Sequence, residues 1–597
     1  MRKTMSLFLA LVMLLSVCSF ASAEETEYTV KTVPVFRGTE QAGFMDLRYY
    51  SDAPNVACYG MKAYLNLLRG EELTVTAEDG GLWTVTAPND TSIQVNPAAG
   101  TITAADWARF QSPLTPYDKM VGIKDSPCAW SYYTDLTFTD EPAAVIFNLA
   151  KYSIPLHADR EDVYMPLALL ATMFTDVATN RVIFNGEKAF LSVLDVKAIG
   201  ALPDGFYDPM KALISGEEQR SEDVIRVSYG ELCFVLDYFF GHPGTGAWDE
   251  SIREIGLDET LKAKGPEIRE ALLSPVYLQH VIGLQKLTAA GLDDGHTAYT
   301  GISPLVNPAV TSPEAVMKIV MGAGEAINTS SISRMEMMNS LRQTRAAVWG
   351  DEVYRECGST AILRIDAFAP DDKGWEAYYA GTGEIPMDAF GITVTGLKKA
   401  SENPAIKNVL FDLSSNTGGS SDLLMAVLSL CDGNNRFDGY NVLTGQHMYA
   451  ACHVDRNLDG VIDEKDDEVK YDFRYAVLTT RMAFSCGNLF PFLMQDSGAV
   501  LLGESTGGGS CCVQFAELSG GDEFLMSSYL WALRDRKGES VEGGCNTDLP
   551  IVRIEPEKPT HPNPRLSNGD YTPYFDDVKL DQMINEWYAA REEKPAV

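Results

Sequence analysis

Positive charge is scarce in this 597-residue chain: 48 lysines and arginines face 83 aspartates and glutamates, a formal charge of −35. That balance repels phosphate backbones, so nucleic acid is not an expected partner. Beyond the first twenty residues no apolar run is long enough to cross a bilayer, and no transmembrane span is expected. Cysteine is thin and scattered. After Cys18 come Cys58, Cys128, Cys233, Cys357, Cys431, Cys452, Cys486, Cys511, Cys512 and Cys545, without the CxxC pairs of a zinc ribbon or the density of a disulfide scaffold. No glycine-rich loop ends in Gly-Lys-Ser/Thr, which excludes a phosphate loop. Internal repeats and low-complexity tracts are absent too. What remains is ordinary globular composition, 45% hydrophobic and 22% charged, in a chain too long for a single core. Three or four domains are expected.

The amino terminus reads as an export leader over residues 1–23. Arg2 and Lys3 precede an apolar run from Leu7 to Val17, and Ala21-Ser22-Ala23 is a small-residue cleavage site. Lipid anchoring at Cys18 ranks second, because Val17 is bulky where a lipobox takes a small residue. A secreted chain is therefore expected, with cell-envelope association kept open.

Residues 24–125 form a strand-rich region. Leu73 to Ala77 and Leu82 to Ala87 flank Asp79-Gly80-Gly81, a hairpin signal. A second small unit is expected over 126–200, where Val163 to Pro166 leads into a helix through Phe174 and a hairpin turns at Asn185-Gly186. This strand–helix–hairpin order resembles the small amino-terminal domain of copper amine oxidases, although no copper ligand set accompanies it. Residues 201–300 read as a helical subdomain, 301–350 as a linker with helical segments, 351–580 as an α/β core, and 581–597 as a helix end and tail.

The chemistry concentrates in that core. The apolar strand Asn408 to Leu413 runs into Ser414-Ser415-Asn416-Thr417-Gly418-Gly419 and then a helix. Paired glycines after a strand let backbone N–H groups point into a site, although taken alone they are simply a turn. A second strand, Tyr475 to Thr480, leads to Ser485 where a helix should start. Orphan N–H groups and the positive dipole end there favour an oxyanion; the plain alternative is a capping serine. Ser505 is a rival nucleophile in Gly503-Glu504-Ser505-Thr506-Gly507, but a nucleophile elbow needs a following helix, and a glycine turn and a strand follow instead. For a base, His296 in Asp293-Asp294-Gly295-His296 competes with His242 in its Gly-Pro loop.

The order of these blocks, namely Asp412-Leu413-Ser414-Ser415-Asn416-Thr417-Gly418-Gly419, Phe484 to Asn488, Gly503 to Gly508, and Glu542 to Pro550, resembles the tail-specific, or C-terminal processing, serine peptidases. The resemblance covers roughly residues 350–555. It implies a ClpP/crotonase-like α/β core within an α+β multidomain chain and a protein or peptide substrate. One branch of that family uses a lysine after the Gly-Glu dipeptide, where this sequence has Ser505. The tricorn-like branch uses an upstream histidine and a late glutamate. The resemblance therefore implies Ser485 as nucleophile, His296 as base and Glu542 as its orienting partner, with Gly418, Gly419 and Cys486 supplying oxyanion N–H groups. A PDZ domain, frequent in the family, is not recognisable. The alternative is a non-catalytic binding protein on the same scaffold.

A separate motif, Asp455 to Asp466, places Asp455, Asn457, Asp459, Asp463 and Asp466 at positions 1, 3, 5, 9 and 12 of a calcium loop, with the carbonyl of Val461 at position 7 and Gly460 at the sharp turn. Aspartate rather than glutamate stands last, as in dockerin-like loops. A structural Ca2+ is expected there, and no cofactor for catalysis.

Overall fold

The computed structural model describes residues 26–112, 130–133, 136–175, 181–192, 219–299, 325–560 and 567–592. The expected leader, Cys18, Cys128, residues 201–218 and 300 of the expected helical subdomain, residues 301–324 of the expected linker and the tail 593–597 lie outside them. The amino-terminal strands are β1 Tyr28–Arg37, β2 Glu40–Tyr50, β3 Cys58–Gly60, β4 Thr74–Ala77, β5 Trp83–Thr86, β6 Ser92–Asn96, β7 Thr101–Ala104, β8 Ser131–Tyr133, β9 Thr137–Phe138, β10 Val145–Asn148, β11 His157–Ala158, β12 Val163–Pro166, β13 Arg181–Phe184 and β14 Ala189–Ser192. Both expected hairpins form, β4 with β5 and β13 with β14. Asn185 Oδ1 closes the second by accepting the N–H groups of Glu187 and Lys188, the local side-chain turn for which Asn is suited. β12 passes into helix α1, Leu167–Met173.

The division expected at 125/126 is corrected by the sheet order. A seven-stranded sheet runs β11-β12-β3-β2-β1-β14-β13, and a five-stranded one runs β10-β7-β6-β5-β4. β1 and β14 pair in parallel through Val35↔Ala189 and Phe36↔Phe190, so residues on both sides of that boundary build one sheet. β8 and β9 leave the amino-terminal unit altogether and pair with a strand of the core.

Helices α2 (Glu222–Tyr238) and α3 (Tyr277–Lys286) follow within residues 219–299, the described part of the expected helical subdomain. Helix α4, Glu325–Trp349, occupies the second half of the expected linker. Its Arg345 binds Asp412 at 3.1 Å and Asp366 at 2.7 Å, which seats the helix on the core. The core continues with β15 Tyr354–Cys357, β16 Thr360–Arg364, helix α5 Ala389–Glu402, β17 Asn408–Asp412, helix α6 Ser421–Asp432, β18 Arg436–Asn441, β19 Gln446–Val454, β20 Arg474–Thr479, helix α7 Cys486–Asp496, β21 Val500–Gly503, β22 Cys511–Leu518, β23 Asp522–Leu533 and β24 Leu549–Pro550. Its main sheet runs β15-β16-β17-β20-β21-β24 and is parallel from β16 onward. Parallel strands are covered on both faces, which explains why all five residues of β17 are buried. Helix α8, Asp577–Glu592, covers one face with Leu580 and Ile584, so the core runs past the expected boundary at 580.

A second sheet, β22-β23-β18-β19-β8, carries the long hairpin β22–β23. The tip of that hairpin leaves the core and enters the apolar cluster of the amino-terminal unit and helices, where Ala516, Leu518, Phe524 and Met526 are buried. Buried Arg181 of β13 clamps it, with Nε 2.9 Å from Glu517 and 3.0 Å from Glu523. No described helix is long and apolar enough to cross a membrane, and the nine cysteines among the described residues are free thiols.

Breaking a buried ion pair by removing one partner leaves an uncompensated charge, at a cost of about 3–5 kcal/mol. Arg181→Ala strands two buried glutamates and is expected to lower stability by that order in urea unfolding; a loss below 1 kcal/mol refutes the clamp.

Candidate active site

Ser485 follows β20 across a five-residue turn and is the N-cap residue of α7, at φ 55° and ψ −123°. That conformation is rare for any residue with a Cβ. As an N-cap it differs from the plain reading in one respect: its side chain makes no capping hydrogen bond. Among the described residues its Oγ has no hydrogen-bond partner. The backbone holds it instead. Ser485 N–H donates to Gly508 O at 3.0 Å, and its carbonyl accepts Asn488 N–H and Leu489 N–H, both at 2.9 Å.

The Asn416–Gly419 loop lies directly on this turn. Gly418 sits at φ 104°, and a Cβ there would stand 2.8 Å from Ser485 Cβ and 3.1 Å from Cys486 N, so only glycine fits. Asn416 binds the two loops together: its carbonyl accepts Phe484 N–H, its Nδ2 donates to Ile365 O, and its Oδ1 accepts Gly418 N–H at 2.8 Å. This last bond corrects one expected oxyanion donor, because the Gly418 N–H is already committed. The N–H groups of Gly419 and Cys486 have no acceptor among the described residues. The Cys486 thiol contacts Gly419 O at 3.1 Å and so brings the two together, and Cys486 N is the first orphan donor of α7.

His296 reaches the same cleft from the loop after α3. Asp294 folds that loop by accepting the N–H groups of His296 (2.9 Å) and Thr297 (2.6 Å) and the Thr297 hydroxyl (3.0 Å). Ala298 then exchanges both backbone hydrogen bonds with Leu525 of β23, each 3.0 Å. The imidazole packs on the Phe484 ring with centroids 4.7 Å apart, one residue before Ser485. Burial pushes its pKa below the ordinary 6.5, against the charge of Asp294.

Glu542 is half-buried, and burial raises its carboxyl above the usual range. It accepts Ser510 N–H at 2.6 Å and the Thr245 hydroxyl at 3.5 Å. Ser485, His296 and Glu542 line one cleft of about 1150 Å³, together with Met335 and Met338 of α4, Met482 and Val513. They are not hydrogen-bonded to one another among the described residues. The expected contact by which Glu542 orients His296 is therefore absent. The glutamate is spent on the 508–510 turn, and Asp294 is the charge that His296 feels. Asp294 stands within the motif that singled out His296, where no role was assigned to it.

The rivals fall away on geometry. Ser505 lines the cleft, but its hydroxyl donates to Asn546 Oδ1 at 3.0 Å and β22, not a helix, follows. His242 binds Asp249 at 2.6 Å and does not line the cleft.

The Asp455–Asp466 loop lies between β19 and β20. Asp455 accepts Asp459 N–H at 3.2 Å, Gly460 N–H at 2.8 Å and the Tyr379 hydroxyl at 2.9 Å. Asp466 is buried beside it, and its charge adds to the burial that raises the Asp455 carboxyl. Asp459 and Asp463 turn instead to Lys465 Nζ, at 4.0 and 3.3 Å. Among the described residues no group of three or more acidic, imidazole or thiol side chains converges as a metal site.

A parallel sheet thus delivers a strained serine to a helix start, beside two N–H groups that have no acceptor among the described residues. Residues 381–551 match the model of peptidase family S41. Similar solved structures include the photosystem II D1 C-terminal processing protease (15% identity over 33% of this chain and 44% of that one, TM-score 0.24). They also include mature CPAF complexed with lactacystin (17%, 38% and 52%, TM-score 0.25) and a candidate peptidase from Parabacteroides merdae (14%, 56% and 91%, TM-score 0.35). The chain spans about half the length of the first two. No curated protein matches it.

Strain at a special backbone position costs of order 1–3 kcal/mol, and glycine relieves it. Ser485→Gly is expected to raise stability by about 1 kcal/mol in chemical unfolding; a destabilised variant contradicts the strain.

Proposed function

We propose that the protein is an exported serine endopeptidase that cleaves peptide bonds through an acyl-enzyme on Ser485. The observation that carries this reading is the Ser485 side chain, held in a strained N-cap conformation with its Oγ uncommitted. A hydroxyl becomes nucleophilic only when a base takes its proton, and an imidazole kept neutral by burial suits that task. His296 takes the Ser485 proton as Oγ attacks the substrate carbonyl, then returns it to the leaving amine. The N–H groups of Gly419 and Cys486 hold the oxyanion, one such donor being worth about 3 kcal/mol. Glu542 acts from one step away by fixing the turn that accepts Ser485 N–H. Catalytic hydrogen bonds tighten when substrate enters, so the imidazole swings from Phe484 to Oγ at that moment. The missing hydrogen bond between His296 and Ser485 favours a second reading, a binding protein on this scaffold, and the same experiment separates the two.

A fluorophosphonate probe is expected to label Ser485 and no other serine, and Ser485→Ala is expected to abolish peptide hydrolysis while Ser505→Ala retains it. An unlabelled, folded protein establishes the binding reading. Because the His296 pKa is lowered, the base is already free at pH values where ordinary histidine is protonated. The acid limb of kcat/KM is therefore expected to have its midpoint below pH 6.5 and to vanish in His296→Gln. A midpoint above that value assigns the limb to another group.

For the Asp455–Asp466 loop we propose a structural Ca2+. Two neighbouring buried carboxylates, Asp455 and Asp466, without a lysine or arginine partner fit a cation, and displacement of Lys465 frees Asp459 and Asp463 to join them. Extracellular loops of this kind bind at about 0.1–1 mM. Chelation is expected to lower the melting temperature, and Asp459→Ala to remove that response; an unchanged melting temperature refutes the metal.

A further inference from the structure

The second sheet has a polar face that the serine site does not use. Across β18 and β19, Tyr440 stands opposite His447 and Asp438 opposite Tyr449. Across β18 and β23, Gly439 stands opposite Leu533, which makes Asp438 and Arg534 the next cross-strand pair. Side chains alternate along a strand, so Arg436, Asp438, Tyr440, His447, Tyr449 and Arg534 share one face, while Phe437, Met448 and Leu533 enter the core. The chain then folds back through the Arg534↔Ser540 bridge, and Arg536 closes a cleft of about 240 Å³. None of its lining residues lines the cleft at Ser485.

Most of its charges are already paired. Arg436 Nε binds Asp438 Oδ1 at 2.7 Å. Arg536 reaches Asp432 at 2.7 Å and Ser497 Oγ at 2.9 Å, Lys537 binds Asp496 at 2.7 Å, and His447 Nδ1 lies 2.8 Å from Asp140. Three groups are left over. Among the described residues, Asp438 Oδ2 is buried without a donor, and Arg536 Nε is buried without an acceptor. Arg534 has no carboxylate within ion-pair distance among the described residues; it lies 4.8 Å over the Tyr440 ring and donates only to Leu533 O at 3.3 Å. Burial works against its charge and lowers its pKa.

A buried acceptor or charge left unpaired costs about 1–3 kcal/mol, and here the open second oxygen of Asp438, whose first oxygen is held by Arg436, lies beside Arg534, which has no carboxylate partner among the described residues. A simple anion would satisfy Arg534 but meet the carboxylate of Asp438. A simple cation would meet Arg534. A ligand with an ammonium and a carboxylate on one carbon satisfies both. At about 30 Å³ per water-sized group, the cleft holds roughly eight such groups, the scale of one amino acid. We propose that this cleft binds a free α-amino acid, with its ammonium on Asp438 Oδ2 and its carboxylate on Arg534 and Arg536 Nε. The site stands whether or not Ser485 is catalytic.

The test is calorimetric titration of the full chain with L-alanine, L-leucine, acetate, ethylamine and inorganic phosphate. At least one amino acid is expected to bind saturably, with acetate, ethylamine and phosphate each at least about tenfold weaker, since each makes only part of the charge-assisted set. Asp438→Asn and Arg534→Gln are each expected to weaken binding about tenfold, with circular dichroism to check folding. Should Asp438→Asn fail to fold, the partly exposed Arg534→Gln decides alone. Absence of saturable binding by both amino acids overturns the proposal. So does acetate or phosphate binding as tightly as the amino acids, or an Arg534→Gln protein that binds like the parent.

Discussion

The cleft depends on a two-bond bridge between Ala298 and Leu525, because that bridge decides where an imidazole from one folded unit meets a serine from another. β23 is twelve residues long, about 40 Å at a strand's rise. One end pairs with β18 of the core at Leu533, and the other is buried among the helices. The tip is clamped from several sides: Arg181 on Glu517 and Glu523, Ser519 N–H on Glu231 at 2.6 Å, and Asp522 accepting from the Tyr277 hydroxyl at 2.8 Å with His280 at 3.0 Å. Buried polar groups of this kind are costly unless satisfied, so the hairpin has one seat. His296, two residues before the bridge, inherits that fixed position.

Strain at Ser485 follows from the same economy of placement. The turn after β20 must aim a side chain into the cleft while its backbone starts a helix, and φ 55° is the consequence. Neighbouring glycines make room, since Gly418 stands where any Cβ would strike Ser485. Asn416 adds the rigidity: its carbonyl ties the glycine loop to the serine turn at Phe484, its Nδ2 anchors the loop to Ile365, and its Oδ1 holds Gly418 within the loop. Such over-determination is what lets a strained residue persist.

What could be read from residue order was what local chemistry decides. The hairpins at Gly80-Gly81 and Asn185-Gly186, the step from β12 into α1, and the apolar strands β17 and β20 are each specified within about ten residues by turn type and periodicity. The serine and its glycine loop were legible for the same reason, as strand-to-helix junctions. The pairing of β1 with β14 was not, because its partners lie more than 150 residues apart and neither strand carries a signal of the other. That pairing, with β3 to β12 and β7 to β10, moved a domain boundary. Glu542 was found by its place in a motif, but its contact was misassigned: position in a chain says where a carboxylate is, not which N–H group reaches it first. Asp294 was overlooked because a loop-folding aspartate and a charge beside a base look alike in sequence.

The separation between imidazole and serine is consistent with the forces on the ring. His296 has no hydrogen-bond partner at either nitrogen among the described residues, so turning away from its present position breaks no polar contact. What holds it is an aromatic contact with Phe484, and such contacts are worth about 0.5–1.5 kcal/mol. A hydrogen bond to Oγ formed in a cleft emptied of water is of comparable or greater worth. On the proposed mechanism, substrate that excludes water from the Met335, Met338 and Met482 wall would tip the balance toward the serine without any movement of the backbone. The Asp294 turn and the Ala298 bridge keep the ring's pivot fixed while it turns. On the proposed mechanism, a fixed pivot and an uncommitted ring are what a base that engages only when substrate fills the cleft requires.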